Sequence, residues 1–189
     1  MAPETLTKFT YEDLLEMPED CLHHYEILDG ELIVNAAPNL RHQRIVFRTA
    51  TILNDYVKSK RCGEVFISPA DVVFAPDWVC EPDVLYVSNG RASIITEANF
   101  QGAPDLAVEV LSESTRKRDE IKKRKAYEQF GVDEYWIVDP VLDSIKIYRR
   151  DSAGKYVRTA EVSTETEDAT VTTPLFPGLV VSLAEIFEE

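Results

Sequence analysis

Residues 105–139, DLAVEVLSESTRKRDEIKKRKAYEQFGVDEYWIVD, decide how this chain folds. DLAVEVLS is apolar on both faces apart from one acid, the pattern of a strand covered by helices. Serine and threonine caps, a run of helix formers and Gly131 as a stop then predict a helix closing near Phe130. YWIVDP predicts a further strand. Upstream, Thr10 suits the cap of a short surface helix ended near Pro18, and Asp29-Gly30 is the two-residue turn of a hairpin across YEILDGELIV. From Leu40 to Lys60, Ile45, Val46, Thr49, Ile52, Leu53, Tyr56 and Val57 recur at three and four, which predicts an amphipathic helix released at Gly63. The stretch between Glu64 and Ser88 reads as strands interrupted by Pro69, Pro76 and Pro82. Downstream, SIKIYRR and GKYVRTAEV form a hairpin, and the tail is a turn, a short apolar stretch and a last helical turn. The fold class is α/β, with residues 1–189 as one domain.

A length of 189 residues with 44% apolar content suffices for one sizeable core. No stretch approaches the roughly 18 apolar residues of a membrane span, and the first residues lack the pattern of a secretory signal. The expected location is the cytoplasm, with no membrane partner. Cys21, Cys62 and Cys80 show no zinc-ligand spacing and read as free thiols. The balance of 20 basic against 34 acidic residues, −14 net, argues against broad nucleic-acid binding. Its distribution is uneven: Arg116, Lys117, Arg118, Lys122, Lys123, Arg124 and Lys125 fall within one run of ten, so a locally positive face on an acidic body is open.

Glu109 stands inside the apolar strand, where an ionised carboxylate costs several kcal/mol unless a cation, a metal or dense hydrogen bonding meets it. A strand-end glutamate that reaches solvent or an arginine would explain it equally well. Asp83 enters another apolar strand directly after Pro82; alone it is ordinary turn chemistry. Together, acids on neighbouring strands can place their oxygens around one hard cation such as Mg²⁺. On the following helix Asp119, Lys123 and Tyr127 share a face at i, i+4 and i+8, which points Lys123 inward, while the rest of the basic run reads as a solvated face with Glu120 and Arg124 as a surface ion pair. Glu26 shares a strand face with Leu28 while Ile27 looks the other way, and an exposed strand face would explain it equally well. His42, with Arg41, Arg44 and Arg48 near the start of the long helix, is a candidate phosphate contact or plain polar surface. Asp71 is a candidate for the outer shell of the site or an edge-strand charge.

Taken in order, YEILDGELI, PDV, APDLAVEVLS, D-x-x-x-K-x-x-x-Y and GVDEYWIVDP resemble the Uma-type restriction endonuclease family of the PD-(D/E)xK nuclease superfamily, over about Phe9 to Phe187. The resemblance implies a restriction-endonuclease-like mixed central β-sheet flanked by helices, an active site at one sheet edge, and Mg²⁺-dependent (or Mn²⁺-dependent) cleavage of phosphodiester bonds. Carried over residue by residue, Asp83 is the motif aspartate, Glu109 its second acid and Glu26 the N-terminal acid. The superfamily lysine, two positions after the second acid, is replaced by Leu111, and the D-x-x-x-K pattern implies that Lys123 supplies it from the helix. The expectation is an endodeoxyribonuclease in which Asp83, Glu109 and the Val110 carbonyl bind the ion. Glu26 and Lys123 complete the catalytic set, and Tyr127, His42 and Asp71 surround it. DNA would be met by Arg116, Lys117, Arg118, Lys122, Arg41 and Arg44, and a homodimer suits two strands. Two rivals are a non-catalytic nucleic-acid or protein-binding module on the same fold and a small-molecule metallohydrolase.

Overall fold

The computed structural model of the chain describes residues 8–17 and 23–188. Pro18 and Cys21 lie outside them; the first helix ends at Leu15 with Glu16 as its cap, three residues ahead of the Pro18 expected to stop it. Helix α1 (Tyr11–Leu15) opens with a reciprocal cap in which Thr10 Oγ1 accepts the Asp13 N–H and Asp13 accepts the Thr10 N–H. Strands β1 (His23–Leu28) and β2 (Glu31–Ala36) form the expected hairpin, with Asp29 and Gly30 at φ 58° and 77°. Helix α2 (Leu40–Lys60) starts where the Asn39 side chain accepts the His42 N–H, and it buries Ile45, Thr49, Leu53 and Val57 at four-residue spacing. The turn out of α2 is made by Arg61, left-handed at φ 52°, rather than by Gly63. Gly63 is required one step later, at the start of β3 (Gly63–Ile67), where a Cβ would lie 2.2 Å from the Val87 carbonyl oxygen.

The chain continues through β4 (Val72–Ala75), β5 (Trp78–Cys80), β6 (Val84–Ser88), β7 (Phe100–Gln101) and β8 (Leu106–Val110). The helix that follows differs from expectation in its winding: Arg118–Lys123 is π-helical and runs without a break into α3 (Arg124–Phe130), closed by Gly131 at φ 95°. Then come β9 (Glu134–Asp139), β10 (Ser144–Arg150), β11 (Tyr156–Ser163), the short β12 (Thr170–Val171) and β13 (Val181–Ser182), and α4 (Leu183–Phe187).

The mixed central sheet has the order β11-β10-β9-β8-β6-β3, with β8 and β9 parallel and the other neighbours antiparallel. On one face Val108, Val110, Trp136 and Val138 pack against Leu53 and Val57 of α2 and Ile186 of α4. On the other, Ala107, Tyr135 and Ile137 pack against Tyr127 of α3 and against Leu28 and Cys80, which belong to a second sheet, β2-β1-β5-β4-β7. Each such side chain fully withdrawn from water contributes roughly 1.5–3 kcal/mol, and the two faces together hold the layers in register. Alternation along β8 then fixes the site: Val108 and Val110 belong to the α2 face, so Glu109, between them, projects to the face that carries α3 and the second sheet. Counting from the β3 edge, β8 is third, so Glu109 lies inside the sheet, at a strand end, and not at the sheet edge that the resemblance implied. Among the described residues no helix is long and apolar enough to cross a membrane, Cys62 is a half-buried free thiol and Cys80 a buried one.

Candidate active site

The Lys123 ammonium sits at the centre of a buried acid cluster, 2.7 Å from Glu26 Oε1, 2.8 Å from Glu109 Oε1 and 3.8 Å from Asp119 Oδ1. Three elements deliver these groups. β1 brings Glu26 from the second sheet, β8 brings Glu109 from the central one, and the π-helical turn carries both Asp119 and Lys123 inward. A π turn widens the helix by one residue per hydrogen bond, a rare deformation that is frequent at functional sites. Tyr127, one α-helical turn on, donates to Glu109 Oε1 at 2.6 Å. Glu26 also accepts from the Glu81 N–H at 2.8 Å and from Asn35 Nδ2 at 2.9 Å, while Arg118 donates to Asn35 Oδ1 at 2.7 Å.

Asp83 approaches from the mouth. β6 pairs with β8 so that Val84 faces Val108, which sets Asp83 across from Glu109 one step further along. Its Oδ2 accepts the Val110 N–H at 2.7 Å and lies 3.3 Å from His42 Nε2. All of these groups except Tyr127 line one cavity of about 580 Å³ at the carboxyl end of β8.

Charge is unevenly matched here. Four carboxylates, Glu26, Asp83, Glu109 and Asp119, share the ammonium of Lys123 and the guanidinium of Arg118. Burial works against the Glu26 carboxylate, but the Lys123 charge and hydrogen bond, the Glu81 N–H and Arg118 together hold it below the ordinary range. Glu109 goes the other way: burial first, then repulsion from Asp119, Asp83 and Glu26, outweighs Lys123 and pushes it well up. Lys123 pays for its burial with three acid partners and stays firmly protonated. Just beside the cluster, burial and the neighbouring Asp71 and Glu26 raise Glu81 to about 8.

The donor set suits a hydrated cation. Asp83 Oδ1 and Glu109 Oε2 accept no hydrogen bond among the described residues, and both residues border the cavity. Among the described residues no three His, Cys, Asp or Glu side chains gather closely enough to hold an ion by themselves. Two carboxylates with water completing the shell is the habit of Mg²⁺. Val110 engages Asp83 through its N–H.

The other expected residues divide into two groups. His42 and Arg118 line the cavity, while Asp71 stands behind Glu81, within hydrogen-bonding reach of it and of Tyr11. Most of the basic residues expected to meet DNA are spoken for: Arg116 grips Asp139 through two bonds of 2.5 and 2.9 Å, Lys122 meets Glu31 at 2.5 Å, and Arg41 donates to Asp143 at 2.7 Å. Lys117 and Arg44 are exposed without a partner among the described residues. The expected surface pair of Glu120 with Arg124 does not form; Glu120 binds Lys146 at 2.9 Å and Arg124 stacks its guanidinium over Tyr148. Leu111, where the superfamily pattern has lysine, is buried in the core. Sequence reasoning passed over Asn35 and Glu81. Glu81 carried a signal, an acid one proline away from Asp83; Asn35 carried none, since its role depends on the pairing of β1 with β2.

Comparison with known proteins agrees with this architecture. The Uma2 family, described as "Putative restriction endonuclease", matches residues 11–184. A crystal structure described as a "putative nuclease belonging to DUF820 from Anabaena variabilis ATCC 29413" superposes with a TM-score of 0.78 at 23% identity, covering 95% of this chain and 97% of that one. No curated protein matches the chain.

Proposed function

Because the chain belongs to the Uma2 family of restriction-endonuclease-like proteins, we propose that it is an endonuclease that hydrolyses phosphodiester bonds of DNA with a divalent ion, Mg²⁺ or Mn²⁺, at the mouth of this cavity. One observation carries the reading: Lys123, coming from the helix and not from β8, brings an ammonium to 2.8 Å of Glu109, where the superfamily pattern needs a lysine that position 111 lacks. Asp83 and Glu109 are the residues that would hold the ion. Bound there, such an ion polarises the phosphate and lowers the pKa of its water.

The chain's own groups do the rest. Tyr127 and Lys123 fix Glu109 Oε1, leaving Oε2 without a hydrogen-bond partner among the described residues. The Val110 N–H and His42 hold Asp83 in place through Oδ2. Lys123 offers fixed positive charge to the phosphoryl oxygens as negative charge develops, which needs no reorganisation at the moment of reaction. Two copies of the chain would present two such sites.

The test is incubation with plasmid, single-stranded DNA and RNA in Mg²⁺ or Mn²⁺, beside Asp83→Ala and Lys123→Ala. Cleavage by the wild type that both substitutions abolish is the expected result. Cleavage that survives Asp83→Ala rejects this site, and intact protein that cuts no polymer returns the chain to the binding-module or small-molecule alternatives.

A further inference from the structure

The same cavity also has apolar side chains in its lining. Phe47 of α2 lines it while remaining 68% exposed, and Ile67 at the end of β3 lines it at 49%. Gln43, one helical turn before Phe47 and on the same face, also borders the cavity and is exposed. A bare aromatic ring beside carboxylates and an ammonium is a poor arrangement for phosphates alone, and a good one for a nucleotide that brings both a phosphate and an uncovered base.

The charges point the same way. A closed duplex presents two lines of phosphates and keeps its bases inside, so it is gripped by a broad basic face. Here Arg116, Arg118, Lys122 and Arg41 are engaged with Asp139, Asn35, Glu31 and Asp143, and the net charge is −14. A single strand has a lower charge density and offers bases that stack on aromatic rings without regard to sequence. We propose that the nucleic acid taken by this site is unpaired, with one base stacked on Phe47 and its edge within reach of Gln43. The inference rests on the nuclease reading above and narrows its substrate.

The experiment uses a short labelled single-stranded oligodeoxynucleotide, its blunt duplex, and the same duplex with an unpaired central bubble. Cleavage in Mn²⁺ and binding by fluorescence anisotropy in EDTA are followed for the wild type, Phe47→Ala and Phe47→Trp. The single strand and the bubble should be cut at least about ten-fold faster than the duplex; Phe47→Ala should raise KM and weaken binding roughly ten-fold, and Phe47→Trp should restore both. Cleavage of duplex at the single-strand rate, or Phe47→Ala without effect on KM, overturns the inference and leaves the nuclease reading standing. Absent cleavage with Phe47-dependent binding of the single strand upholds the unpaired-strand site and rejects the nuclease reading. Neither cleavage nor binding rejects both.

Discussion

At the N-terminal ends of the parallel pair β8 and β9, buried acids are fully answered. Glu134 accepts from Trp136 Nε1 at 2.6 Å, Arg149 Nε at 2.6 Å and Thr173 Oγ1 at 3.0 Å, and Asp105 takes the Ser88 N–H and hydroxyl with Arg91 3.6 Å away. At the C-terminal end of β8, Glu109 faces three further carboxylates with one ammonium and one guanidinium among them, and its second oxygen accepts no hydrogen bond among the described residues. The same residue type on adjacent strands is thus structural at one end and underpaid at the other. A fold tolerates an unbalanced buried charge when something outside the chain completes it, and this difference, more than the presence of acids as such, marks the working end of the sheet.

Removing the central cation should break this contrast most severely. Lys123→Ala leaves Glu26, Glu109 and Asp119 facing one another with only the Arg118 guanidinium, 3.9 Å from Glu26 and 3.7 Å from Asp119, against them, and loss of one partner of a buried pair costs about 3–5 kcal/mol. Thermal unfolding should shift down by on the order of 10 °C at neutral pH. Glu109→Gln in the same site removes repulsion instead, so its melting temperature should equal or exceed that of the wild type while cleavage is lost. A Glu109→Gln protein that melts well below the wild type would mean the acid excess is not real.

The balanced end gives the next largest effect. Arg149→Ala withdraws one donor from Glu134, but Trp136 and Thr173 remain and Arg149 is 30% exposed, so water can replace it. A cost of about 1–3 kcal/mol is expected in urea unfolding, with cleavage per folded molecule unchanged. Loss of cleavage in that variant would tie the two ends together and remove the distinction.

Much of the working end could be read in the sequence, and the reason is periodicity. Glu109 interrupts an apolar strand, and Asp119, Lys123 and Tyr127 repeat at helical spacing, so local pattern alone placed them together on one side. Even the π winding did not spoil this, since both Asp119 and Lys123 remain inward. The balanced end was silent because Arg149 and Thr173 reach Glu134 from 15 and 39 residues away. For the same reason the basic run looked solvated: its partners Asp139 and Glu31 come from remote strands, and no local spacing reports them. The second sheet was hidden by the brevity of β5 and β7, three and two residues long, whose pairing depends on the tertiary fold.

Protonation offers a gentler probe of the underpaid end. Glu81 rises from an ordinary 4.5 to about 8, first through burial and then through Asp71 and Glu26, with His24 Nδ1 3.3 Å from its carboxylate and Lys123 acting in the opposite sense. In the window between those two values the folded protein holds a proton that the unfolded chain has released, so stability should fall as pH rises from 5 to 8. Glu81→Gln has no such proton to lose. Measured in EDTA, its stability curve should be flatter over that window and cross above the wild type toward pH 8; parallel curves would show that Glu81 is ionised in the fold after all.

The smallest expected effect separates charge that is committed from charge that is free. Lys117 and Arg44 have no partner among the described residues, whereas Arg116 holds Asp139, itself 1% exposed, through two bonds. If nucleic acid meets this surface, Lys117→Ala and Arg44→Ala should each lower the slope of log affinity against log salt for a single strand by about 0.7, one phosphate contact apiece, with melting unchanged. Arg116→Ala should do the reverse, leaving the slope alone and costing stability, because its guanidinium neutralises a buried carboxylate and has little charge to lend. A salt slope that responds to Arg116 and ignores Lys117 would mean that Asp139 releases its partner when substrate arrives, and the line between the two kinds of cation would have to be redrawn around the bound state.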